Sequence, residues 1–271
     1  MKIARFIQKG GNKPVYGALI DDNSTKLIAG DIFGDFEVTQ ETVEIEKLLA
    51  PVTPPLILAI GLNFADHAAE FNKPIPDYPV LFMKIPTALQ NPGDPIEIPT
   101  HLASHKVDYE AELVVILKKE CRNATPESVL DYVLGYTCGN DVSARDWQKD
   151  FGGGQFCRGK SFATFAPMGP CLVTPDEITD PQSLKLTSTV NGELRQNSTT
   201  ANHIFSVREL IVFLSGSTVL PAGTAIFTGT PSGAGFARQP PIFLKEGDVV
   251  TIEVEGIGKL TNPVVREVLK F

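Results

Sequence analysis

At 271 residues, 42% hydrophobic and 21% charged, the chain suits one large globular domain, or one domain with a small appendage. Its net charge of −8 argues against a nucleic-acid surface, and no stretch is apolar and long enough to suggest a membrane span. The opening MKIARFIQKGGNK lacks the apolar run of a signal peptide. Cys121, Cys138, Cys157 and Cys171 have no C-x-x-C spacing, so we expect a cytoplasmic protein with reduced thiols.

Residues 2–8 alternate apolar and polar side chains, Gly10-Gly11-Asn12 turns, and Val15–Ile20 returns as a second strand. A short strand is predicted near Lys26–Ile28. A helix is predicted over Glu41–Ala50, where Val43, Leu48 and Leu49 fall near one face. Pro51, Pro54 and Pro55 form a stiff linker, dividing a small β-rich N-terminal domain (1–54) from a main domain (55–271). Leu56–Ile60 reads as a buried strand and Phe64–Phe71 as a short helix. On that helix His67 and Glu70 stand at i and i+3, adjacent on one face. An imidazole held by a carboxylate is a competent general base near neutral pH; a solvated surface pair is the alternative. The proline-rich stretch through Pro74, Pro76 and Pro79 has the composition of a lid. Val80–Lys84 and Ile96–Ile98 are further strands.

Asp108–Leu113, DYEAEL, opens a buried strand continued by Val114-Val115-Ile116-Leu117. Glu110 and Glu112 are two apart and so share a face. Two carboxylates held close beside an apolar core repel each other and resist desolvation, and a hard divalent cation relieves both. The alternative is an exposed strand end with two solvated glutamates. A helix is predicted from Thr125-Pro126-Glu127 to about Leu134. Tyr136–Val142 is then a strand ending at Asp141, a candidate third carboxylate. Ser143 to Gln148 reads as the start of a helix. There Arg145 and Gln148 suit a ligand carboxylate, unless Asp141 merely caps the helix and Arg145 pairs with Asp146 or Asp150 at the surface. Lys160 follows a glycine and either snorkels outward or points at an anion or enolate. Asn191-Gly192 signals a hairpin, and Ser206 with Glu209 forms a capping box. Ala225–Phe227 runs into Thr228-Gly229-Thr230-Pro231-Ser232-Gly233, a loop offering hydroxyls and backbone N–H groups to an oxyanion. A last hairpin surrounds Gly256-Ile257-Gly258.

In this order GLNFADHAAE, DYEAEL, GNDVSARDWQ, GKSF and TGTPSG resemble the fumarylacetoacetate hydrolase family, over about residues 55–265. DYEAEL and NDVSARD carry most of the specificity. The resemblance is to its short members, which include acylpyruvases, oxaloacetate decarboxylases and oxaloacetate tautomerases. It implies a mixed, β-rich α+β fold: a β-sandwich or roll with short helices, assembled as a homodimer. It implies Mg²⁺ or Mn²⁺, with Ca²⁺ as a substitute, on Glu110, Glu112 and Asp141. The water-activating pair falls on His67 and Glu70, substrate binding on Arg145, Gln148 and Thr230, and both substrate binding and catalysis on Lys160. Phe64 stands where relatives often carry Tyr. The extra N-terminal metal aspartate of the longer fumarylacetoacetases has no match. The expected activity is C–C bond hydrolysis of an acylpyruvate-type 2-oxo acid by activated water. The alternative is oxaloacetate decarboxylation or keto–enol tautomerisation at the same metal site. Neither nucleic acid nor membrane is expected as a partner.

Overall fold

The computed structural model describes residues 1–269. Its central strand, Ala111–Leu117, is buried at every position. It pairs antiparallel with Val133–Asn140 on one side and Ala225–Phe227 on the other. Leu113, Val115 and Leu117 point into a core shared with Leu186, Ile252 and Leu260. Val114 and Ile116 point the opposite way, against Ile57, Leu172 and Phe227. Burial on both faces explains the unbroken Val-Val-Ile-Leu run, because each such side chain stabilises the fold by about 1.5–3 kcal/mol when enclosed.

This strand lies inside an eleven-stranded sheet. Ten of its strands run from Pro14–Leu19 through Ser24–Gly30, Phe36–Leu49, Lys2–Gln8, Ala166–Val173, Val133–Asn140, Ala111–Leu117, Ala225–Phe227 and Ile57–Gly61 to Val80–Lys84 at the far edge, and the eleventh, Leu89–Gln90, pairs parallel with the start of Ala166–Val173. A five-stranded sheet covers one face in the order Glu193–Thr199, Lys185–Val190, Val249–Val254, Gly258–Arg266, Ile96–Ile98. Helices are short: Ala65–Glu70, Phe156–Lys160 and Val207–Ser215. The fold is thus the expected β-rich one with few short helices. Lys2 and Ile3 pair with Val173 and Leu172, so the N-terminal strands continue the main sheet. Among the described residues no helix is long and apolar enough to cross a membrane.

Three expectations are corrected. The helix predicted over Glu41–Ala50 is part of the strand Phe36–Leu49, paired with Ser24–Gly30 and Lys2–Gln8. Thr42, Val43 and Ile45 are β-branched, and two strand partners override a weak helical spacing. The helix predicted from Thr125 to Leu134 shrinks to a 3₁₀ turn at Val129–Tyr132, because Val133 already enters the buried strand. Ser143–Ala144 pairs with Val107–Asp108 instead of starting a helix, and a single π-helical turn follows at Asp146–Asp150. The Asn191-Gly192 hairpin is present, with both residues at positive φ, as is the Ser206–Glu209 capping box.

Candidate active site

The sheet register assembles the acidic residues. Ala111 pairs with Asn140, and the Asp141 N–H donates to the Glu110 carbonyl at 2.9 Å. Glu110, Glu112 and Asp141 are consequently buried together, with one carboxylate oxygen of each within 4.8 Å of the others. Solvated glutamates at an exposed strand end are ruled out.

Three buried cations meet this cluster. Lys160 donates to Glu110 and to Asp141, both at 2.6 Å. Arg145 donates to Glu110 at 2.6 Å, to Asp108 at 2.9 Å and to the Gln148 amide oxygen at 3.0 Å. Its surface pairing with Asp146 or Asp150 does not occur; Asp146 instead accepts from Ser104, at 2.7 Å, and from the His105 and Trp147 N–H groups. Lys84, fully buried, closes on Asp141 and donates to the Val142 carbonyl at 3.2 Å. Gly159 lets Lys160 approach, since a Cβ there would stand 2.6 Å from the Gln148 nitrogen.

Protonation follows from these contacts. Burial pushes the Glu110 carboxyl up, but Arg145 and Lys160 outweigh it and hold it well below the usual range. Burial, with Asp141 and Glu110 adding like charge, raises Glu112 well above the usual range. Burial opposes the charge on Lys160, yet Asp141 and Glu110 lift it net. Glu112 accepts from the Gly229 N–H at 2.7 Å, and among the described residues it has no cationic partner. Four buried carboxylates, with Asp108 counted, thus face three cations. The donor set is all oxygen and leaves one carboxylate uncompensated, which fits a hard divalent cation rather than zinc.

The second half of the site comes from the helix Ala65–Glu70. His67 Nδ1 lies 3.1 Å from Glu70 Oε2. In the tautomer of the neutral imidazole that donates from Nδ1 to Glu70, Nε2 keeps its lone pair. Glu70 also accepts from the Gly233 N–H at 3.0 Å, tying the helix to the threonine loop. Thr230 in that loop accepts from Gln196 at 2.8 Å, and Gln196 accepts from the Ala111 N–H at 2.9 Å. A cavity of about 230 Å³ is lined by His67, Glu110, Glu112, Arg145, Gln148, Lys160 and Thr230. Glu70 and Asp141 stand behind its wall, each bonded to a lining residue. Every site residue named from the sequence is therefore brought to one place. Lys84, Asp108 and Gln196 were missed. Lys84 shares the inward face of its strand with Phe82, two residues before it, and that period of two is the signal that could have marked it as buried.

Residues 56–265 match the family described as fumarylacetoacetate (FAA) hydrolase, C-terminal, and residues 1–51 match one described as Rv2993c-like, N-terminal. A mitochondrial oxaloacetate tautomerase of Xenopus laevis is 47% identical over 220 residues, covering 81% of this chain and 68% of the relative. An uncharacterized protein of Archaeoglobus fulgidus is 47% identical over 236 residues, 87% of each chain. The solved 5-carboxymethyl-2-hydroxymuconate delta-isomerase of Mycobacterium smegmatis has a TM-score of 0.84 at 36% identity, over 98% of this chain and 100% of that one. With its matched segment spanning the acidic cluster, the cavity and the threonine loop, the chain belongs to the fumarylacetoacetate hydrolase family.

Proposed function

We propose that the protein is a divalent-metal-dependent tautomerase that interconverts the keto and enol forms of a small 2-oxo acid of the oxaloacetate type. The observation that carries this reading is the single cavity shared by the acidic cluster and His67, in a chain 47% identical to an oxaloacetate tautomerase. Glu110, Glu112 and Asp141 would hold Mg²⁺ or Mn²⁺, with Ca²⁺ as a substitute. When bound, such a cation supplies Lewis-acid polarisation of the 2-oxo group. Arg145 and Gln148 orient the carboxylate, and Thr230 offers a hydroxyl from the facing loop. His67 Nε2 takes the C3 proton, and Glu70 stabilises the imidazolium that forms. Lys160 has used two of its three donors on Glu110 and Asp141, and the third can face the developing enolate oxygen. The imidazolium returns its proton to that oxygen, directly or through a water, which completes the enol and restores neutral His67; the reverse order regenerates the ketone.

C–C bond hydrolysis of an acylpyruvate is the second reading, favoured by the His67–Glu70 pair, which equally suits activation of water. A panel of oxaloacetate, acetylpyruvate and fumarylpyruvate with Mg²⁺, Mn²⁺ or EDTA separates the two. Metal-dependent enol–keto exchange of oxaloacetate without cleavage supports the tautomerase, and metal-dependent loss of an acylpyruvate replaces it with the hydrolase. His67→Ala is expected to slow exchange by about a hundredfold or more.

The same reading takes residues 1–54 as a small β-rich unit and 55–271 as the catalytic one, in a cytoplasmic homodimer. Support for the dimer comes from the sheet edge. Among the described residues Val80–Lys84 has no outer neighbour, and Leu81 and Met83 on it and Ile85 just after it are exposed at 47%, 50% and 51%. A second copy of this edge would cover them. Sizing at twice the chain mass, reduced to one by Met83→Glu, is the expected result.

A further inference from the structure

The mouth of the cavity carries positive charge that the acidic cluster does not use. Lys149 comes from the π-helical turn and Lys73 from the loop after the His67 helix; both line the cavity. Lys149 Nζ lies 3.9 Å from the centroid of Phe236, and the Arg145 guanidinium lies 4.0 Å from the same ring. Phe71 stacks on Phe236 at 4.9 Å and 4°, giving the mouth a rigid aromatic wall. Arg145 is already engaged with Asp108, Glu110 and Gln148 near the acidic cluster. Among the described residues, Lys73 and Lys149 form no ion pair. Burial, followed by repulsion from Arg145 and Lys73, pushes the Lys149 ammonium below its ordinary value. Like charges thus converge beside an apolar wall; Glu110 and Asp108 offset them only in part, and the net shift stays downward. A ligand anion placed there would be attracted by both.

We propose that Lys149, with Lys73 beside it, forms a second anion position in the cavity, and that the ligand is a short 2-oxo dicarboxylate. Its 2-oxo acid end faces the acidic cluster and its far carboxylate meets the two ammonium groups. This rests on the 2-oxo acid reading above and sharpens it, because an acylpyruvate with a neutral tail has nothing to offer Lys149. The small cavity restricts the ligand to one that can reach both ends within a few bonds.

Oxaloacetate and acetylpyruvate make a matched pair, since a methyl ketone replaces the far carboxylate on otherwise similar skeletons. Calorimetric titration of both into Mg²⁺-loaded protein tests the assignment in wild type, Lys149→Gln, Lys149→Arg and Lys73→Gln. Wild type should prefer oxaloacetate by about tenfold, the scale of one charge-assisted hydrogen bond. Lys149→Gln should remove most of that preference while leaving acetylpyruvate within about twofold, and Lys149→Arg should restore it. Lys73→Gln should give a smaller loss in the same direction. Equal loss for both ligands, or none, overturns the anion position. Turnover is read separately. Absent enol–keto exchange with the oxaloacetate preference intact removes the reaction and leaves the binding assignment standing. Exchange with a KM indifferent to Lys149→Gln removes the binding assignment alone.

Discussion

Lys84 and Asp141 form an ion pair in which neither side chain has any exposed surface. Lys84 ends the edge strand and Asp141 follows the central antiparallel pair, so the contact ties the sheet edge to the acidic cluster. Burial lowers the affinity of Lys84 for its proton, and Asp141 works in the opposite direction. In metal-free protein, Lys84→Met should destabilise the fold by about 3–5 kcal/mol, because it leaves a buried carboxylate short of a partner. Urea denaturation in EDTA measures this, and Asp141→Asn in the Lys84→Met background should recover part of the loss. A change under about 0.5 kcal/mol would show the pair to be energetically idle.

Glu112 is the carboxylate that the chain itself leaves uncompensated, so cation binding should depend on it. Adding Mg²⁺ or Mn²⁺ to metal-free protein should raise Tm, by the equivalent of about 2.7 kcal/mol at a hundredfold excess over Kd. Glu112→Gln should abolish the rise. Thermal scans of both proteins across a cation titration decide the matter, and an undiminished rise in the variant places the cation elsewhere.

Gly229 holds φ at +105°, and a Cβ there would stand 2.7 Å from the Asn63 Cβ. Its N–H is also the donor that fixes Glu112. Gly229→Ala should lose about 1–3 kcal/mol of stability and weaken cation affinity together. Stability loss without an affinity change would separate the loop conformation from the Glu112 contact.

His203 supplies an acid-sensitive element. Burial pushes its imidazole down to about 3. Gln182 Nε2 lies 3.1 Å from Nδ1, so Nδ1 accepts. Nε2–H then points at Thr228 Oγ1, 3.4 Å away, whose hydroxyl donates to the Leu113 carbonyl at 2.9 Å. The folded state therefore holds His203 neutral, whereas the unfolded chain protonates it below its ordinary value of 6.5. Stability from this group is complete above pH 6.5 and declines toward pH 3, by up to about 1.4 kcal/mol per pH unit. His203→Gln cannot take the proton and should flatten this part of the profile. Urea midpoints measured between pH 4 and 7 check it, and parallel profiles for the two proteins would assign the acid sensitivity to other groups.

Local patterns revealed much of the site because its residues lie in short, dense stretches. Glu110 and Glu112 share a strand face, His67 and Glu70 share a helix face, and Arg145 and Gln148 share one turn. Resemblance to a family then linked these stretches, which spacing alone could not bring into contact. Lys84 and Asp141 are fifty-seven positions apart, and only sheet order makes them neighbours. Gln196 likewise reaches Thr230 and Ala111 from a hairpin of the second sheet. The helix expected at Glu41–Ala50 failed for a related reason: its apolar spacing was ambiguous, and pairing on both sides decided the outcome.

The strand Lys2–Gln8 lies between Phe36–Leu49 and Ala166–Val173, with Lys2 opposite Val173 and Ile3 opposite Leu172. The N-terminal unit is therefore spliced to the catalytic sheet along a backbone seam, not strung before it like a bead. Excising residues 1–51 would bare the Leu172–Val173 end of the strand Ala166–Val173, where both side chains are enclosed, and create a template for aggregation. A chimera that exchanges this unit for another must keep the seam's register, because a slip of one residue turns Ile3 out of the core and the strand's polar side chains into it.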